Sequence, residues 1–63
     1  MIEEIIQKYT KFIDNYYPTH TAAAIDLGIS RSHLSKIIHR HDNPSLTLLM
    51  RMEDKMKEYN FEG

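Results

Sequence analysis

Cysteine is absent from this chain. That excludes a disulfide framework and leaves no thiolate for a metal site. Nothing approaches the roughly 18 consecutive apolar residues of a membrane span. The opening Met1-Ile2-Glu3-Glu4 lacks the basic flank of a secretory signal. A soluble cytoplasmic protein with no membrane partner is the expectation. Alternating apolar–polar runs, linkers, internal repeats and low-complexity segments are missing as well, so no strand is expected. Length is short: 63 residues make one domain, 1–63. A chain of this size buries only about 60% of its unfolded surface. Little room is left for a deep substrate pocket, and function is expected on the outer surface. Stability has to come from helix packing, supplemented by dimer formation.

An overall excess of basic charge is also missing, because the net charge is −1. Its distribution carries more information than its total. Residues 30–41 hold Arg31, Lys36 and Arg40 with no acid, a net +3 before His33, His39 or His41 protonates. The segments on either side are each mildly acidic. The chain is therefore polarised. A solvated helix face is the plain reading of such a block, and an anionic partner is the functional one.

What is present is helical periodicity. Ile2, Ile5, Ile6, Tyr9, Phe12, Ile13 and Tyr16 recur in steps of three and four and predict a helix over 2–16. Pro18 stops it, since a proline pushes the preceding residue out of the α region. Thr19 is a good N-cap for a short alanine-rich helix over 20–27. Gly28 ends that helix as a left-handed residue would. Ser30 caps a third helix over 31–39, in which Leu34, Ile37 and Ile38 share the helical spacing. Arg40 to Pro44 is a loop by composition. Ser45 opens a fourth helix over 46–59, with Leu46, Leu49, Met50, Glu53 and Met56 at helical steps. The last residues, 60–63, are expected to fray.

Residues 19–39 form a unit. Two short helices meeting at a steep angle need a pivot free to take positive φ, and Gly28 supplies it. Ala23 and Ala24 allow the helices to approach, while Leu27, Ile29, Leu34 and Ile37 are expected inside. The outer face of the third helix carries Arg31, Ser32, Ser35, Lys36 and His39. Long cations donate to guanine O6 and N7, and serine reads either edge of a base pair, so this face suits a major groove.

The run Ala24-Ile25-Asp26-Leu27-Gly28-Ile29-Ser30-Arg31-Ser32-His33-Leu34-Ser35-Lys36 resembles the helix-turn-helix of phage Cro-like proteins and the wider XRE-type regulators. Asn43-Pro44-Ser45-Leu46 resembles the start of the fourth helix in those domains. The similarity spans about residues 19–56. It implies an all-α, compact four-helix domain of the lambda repressor-like DNA-binding fold. It also implies base contacts from Arg31, Ser32, Ser35 and Lys36. Phosphate contacts are implied for Thr19, His20 and Thr21, and for His39, Arg40, Asn43 and Ser45, where free N–H groups and helix dipoles favour an anion. The expected partner is a double-stranded operator, with no small-molecule effector and no cofactor. A sequence-specific repressor acting by promoter occlusion is the preferred function, and phage or other mobile-element origin fits its size. The alternative is a protein-interaction module that uses the same fold without reading DNA.

Other constellations are weaker. The histidines include no HExxH pattern and no Cys partner, so no metal is expected. Ser35, His39 and Asp42 imitate a hydrolytic triad without any oxyanion hole or shelter from water, so no enzyme is expected. Met50, Met52, Met56, Tyr59 and Phe61 are expected to exceed what three other helices can cover, with Ile25 and Ile38 adding to the surplus. An exposed patch there is expected to form a homodimer interface.

Overall fold

The first helix shows how the apolar spacing becomes architecture. In the computed structural model, which describes residues 2–62, α1 runs Ile2–Tyr16 and buries Ile6, Tyr9, Phe12 and Ile13 along one stripe. Glu3 and Glu4 occupy its first turn, where carboxylates favour the positive end of the helix dipole. Then follow α2 (His20–Leu27), α3 (Arg31–Ile38) and α4 (Leu46–Glu58), with no strand among the described residues. None of these helices is long and apolar enough to cross a membrane.

Each of the last three helices starts on a side-chain cap. Thr19 Oγ1 accepts from the Ala22 N–H at 3.1 Å, Ser30 Oγ from His33 at 3.0 Å and Ser45 Oγ from Leu48 at 3.2 Å. Such a cap contributes about 1 kcal/mol by satisfying one donor that the helix leaves open.

The same three helices end alike. After α2, Ile29 N–H reaches back to Ala24 and Gly28 N–H to Ile25, with Gly28 at φ 84°. After α3, His41 bonds to Lys36 and Arg40 to Ile37, with Arg40 at φ 63°. After α4, Phe61 bonds to Met56 and Asn60 to Lys57, with Asn60 at φ 53°. All three are Schellman closures around a left-handed residue. They correct the expected boundaries: α3 and α4 stop one residue early, at caps His39 and Tyr59. Phe61 departs from the expected fraying, since it is bonded and packs on the core; Gly63, also part of that expectation, lies outside the described residues.

The helices meet as α1 on α4, α2 on α3 and α1 on α3. Phe12, Ala23, Leu34 and Ile37 have no measurable exposure, and Ile6, Tyr9, Ile13, Ala24, Leu27, Leu48, Leu49, Met52 and Met56 complete the core. Ala23 and Ala24 keep α2 thin enough for α3 to close on it. The Tyr9 ring is buried, and its hydroxyl has no hydrogen-bond partner among the described residues. Loss of water pushes the phenol up to about 12, with the nearby Asp26 charge adding to the effect.

The methionine-rich surface is therefore corrected. Met52 and Met56 lie on the inward stripe of α4 with Leu48 and Leu49, and Phe61 and Ile38 pack against the core. Met50 sits off that stripe and remains exposed, as do Tyr59 and Ile25. Met52 and Met56 are fillers of a small core rather than a surface patch.

One polar tie links the ends of three helices. The Tyr17 hydroxyl donates to the Asp26 carboxylate, and Lys55 Nζ lies 3.3 Å from the same carboxylate. The hydrogen bond from Tyr17, then Lys55, holds Asp26 below its ordinary 3.8. Burial, then the bond to Asp26, pushes Tyr17 up.

Two outcomes follow for stability. Gly28→Ala should cost about 1 kcal/mol in urea unfolding, because only the left-handed φ penalises the methyl group. Its nearest contact, Arg51 Nη1 at 3.5 Å, is ordinary van der Waals distance. An unchanged midpoint would show that the turn tolerates a Cβ. Second, a depressed carboxylate contributes stability above its unfolded pKa and loses it as pH falls through the folded one. Asp26 should thus destabilise the fold on acidification below about 3.8, and Asp26→Asn should flatten that part of the stability–pH curve.

Candidate nucleic-acid interface

α3 is divided lengthwise. Leu34 and Ile37 are sealed against α2 and α1, while Arg31, Ser32 and Lys36 stand exposed and Ser35 is half-buried. Arg31 with Ser35, and Ser32 with Lys36, are four residues apart and so lie on adjacent ridges of one face. From Arg31 to Lys36 the face rises about 7.5 Å along the helix axis. Among the described residues no acid pairs with Arg31 or Lys36. Their charges are available to an external anion.

The Gly28 turn and the Ser30 cap set the entry of α3. Gly28 reverses the chain directly after Leu27 is buried, and Ile29 is half-buried beneath the turn. Ser30 then fixes the first turn, so that Arg31 and Ser32 begin on the solvent side. The start of α2 presents Thr19 and Thr21 exposed and His20 half-buried. Thr19 Oγ1 is already occupied as the cap.

The segment after α3 is engaged within the protein. His39 Nδ1 lies 2.8 Å from the Ser35 carbonyl. A carbonyl only accepts, so this nitrogen carries a proton. The His39 and His41 rings are neighbours, with centroids 6.5 Å apart. Asp42 Oδ1 accepts the Asn43 N–H at 2.9 Å, and its other oxygen lies 3.7 Å from His33 Nε2. Arg40 pairs with Glu3 of α1. Asn43 and Ser45 are exposed, but the Asn43 N–H and the Ser45 hydroxyl have internal partners. The site residues of α3 thus form one ionically unpaired face, whereas those of the following loop are largely satisfied already.

Two relationships escaped the sequence. Glu3 lies 37 positions from Arg40, and nothing local marks the pair. Tyr17, Asp26 and Lys55 meet only because α1, α2 and α4 converge.

A concavity of about 370 Å³ lies elsewhere. Ile5, Met56 and Phe61 floor it, and Lys8, Glu53 and Lys57 stand at its rim. Among the described residues, no group of three His, Asp or Glu is placed to hold a metal ion.

Comparisons with protein-family models, with curated proteins and with solved structures find no match for this chain.

Proposed function

We propose that this chain is a helix-turn-helix DNA-binding protein that reads a duplex with α3. The observation that carries this reading is the division of α3. Leu34 and Ile37 anchor it in the core, while Arg31, Ser32 and Lys36 project unpaired from the opposite side. A short helix held this way, entered through a Gly pivot and a Ser cap, matches what a major-groove reader requires. Arg31 and Lys36 donate to guanine edges, with Ser32 and Ser35 as short-range readers. The open N–H groups at the start of α2 favour a flanking phosphate.

The biological role follows as a cytoplasmic transcriptional regulator, a repressor that covers promoter DNA, with no cofactor and no catalytic step. A homodimer on a palindromic operator would place two α3 helices about 34 Å apart, in successive major grooves. The exposed apolar side chains available for such an interface are Ile2, Tyr16, Ile25, Leu46, Met50 and Tyr59, of which Ile25 and Leu46 are each 73% exposed. These same side chains support the second reading, a protein-interaction module that does not read DNA.

Titration of a labelled duplex from the region upstream of the gene separates the two. The DNA reader should bind below about 10 μM in low salt and weaken steeply as salt rises. Arg31→Ala and Lys36→Ala should each cost roughly 1–3 kcal/mol of operator affinity. Thermal stability should be unchanged in both, since neither side chain has an ion pair among the described residues. Full affinity in both variants would remove α3 from the role of reader. Binding of no duplex at all would favour the protein-interaction module.

A further inference from the structure

Arg40 is an unusual residue for its position. It closes α3 at φ 63°, a conformation that glycine adopts without penalty and arginine does not. Nothing in the closure itself calls for a long cation, because its hydrogen bonds use only backbone groups. The side chain turns toward α1 instead. Arg40 Nε lies 2.8 Å and 3.1 Å from the two carboxylate oxygens of Glu3, and Nη2 joins the same carboxylate. Nη1 donates to the Ile38 carbonyl. The pairing holds Glu3 below the ordinary carboxylate range and Arg40 above its own.

A guanidinium that grips a carboxylate with two parallel N–H groups presents the geometry that also grips a phosphate. Both partners stand in solvent, with side-chain exposures of 38% and 54%. An exposed pair of this kind is weak and readily exchanged. Among the described residues, Arg31 and Lys36, the other two cations of the basic block, have no such partner. The block therefore presents two unpaired cations in the free protein and keeps a third in reserve.

We propose that Glu3 is an internal substitute for a DNA phosphate. Its carboxylate occupies the Arg40 guanidinium in the free protein and is exchanged for a backbone phosphate when a duplex docks on α3. This rests on the DNA-binding reading and adds a residue to it: Glu3, outside the reading unit, sets its affinity. The exchange restrains sequence-independent binding, because every phosphate contact by Arg40 must first displace a carboxylate. Sequence-independent association is weakened by that modest cost, while sites where α3 gains base contacts offset it.

The test is a double-substitution cycle, read as affinity for a fluorescein-labelled duplex of mixed sequence. Glu3→Gln should raise affinity about three- to fivefold at low salt, the scale of an exposed ion pair. In an Arg40→Ala background the same change should leave affinity nearly unaltered. Circular dichroism confirms that each variant keeps its helices. Glu3→Asp, which keeps the charge but retracts it by one methylene, replaces Glu3→Gln if that variant unfolds, and should also raise affinity. Equal gains with and without Arg40 would reduce the effect to net charge and overturn the proposal. No gain in a folded Glu3→Gln protein would overturn it too, leaving the pair as a clamp between α1 and the turn after α3. If the wild type binds neither this duplex nor the upstream region, the DNA reading itself falls and the exchange with it. Retained binding without an Arg40-dependent gain defeats the exchange alone.

Discussion

The presentation of α3 depends on one backbone constraint, the left-handed conformation of Gly28. It lets α2 end in a Schellman closure while Leu27 is still buried, and it returns the chain within two residues to the Ser30 cap. Only with that reversal do Leu34 and Ile37 reach the core from one side while Arg31, Ser32 and Lys36 face water on the other. A wider turn would rotate α3 and mix the two faces. The alanines of α2 serve the same end, since larger side chains at Ala23 or Ala24 would push α3 away from its seat.

Around that turn, a small core carries most of the specification. Phe12 lies at its centre, ringed by Tyr9, Tyr16, Tyr17, Tyr59 and Phe61 with centroids 4.9 to 5.9 Å apart across these aromatic contacts. This cluster joins the end of α1 to the end of α4, and the Schellman closure at Asn60 delivers Phe61 to it. In a chain that buries so little surface, methionine fills the remaining irregular space beneath α4. The core therefore absorbs Met52 and Met56, and the apolar groups left outside are scattered over Ile2, Ile25, Leu46, Met50 and the two exposed tyrosines.

Much of this was legible from local chemistry. The helix starts follow from Thr19, Ser30 and Ser45, because a cap is a contact of three residues' span. The α1 stripe and the inward set of Leu34 and Ile37 follow from spacing alone. The contact between Glu3 and Arg40 was not legible, because it depends on how the N-terminus of α1 lies against the turn after α3. The burial of Met52 and Met56 was misjudged for a related reason: spacing identifies a stripe, but the area its neighbours cover is a tertiary quantity. The left-handed Arg40 carries little local signal, whereas Asn60 is a residue type that takes this conformation readily; the two closures shortened α3 and α4 by one residue, and the second brings Phe61 onto the core.

The central claim is that one face of α3 is the surface that meets nucleic acid. The most direct measurement is a residue-resolved amide chemical-shift titration of the protein with duplex DNA. The account predicts that the largest changes fall on Arg31, Ser32, Ser35 and Lys36, with a second group at Thr19 to Thr21. The α1–α4 groove around Ile5 and Met56 should stay unchanged. Changes centred on that groove with α3 silent, or no changes at saturating duplex, would contradict it.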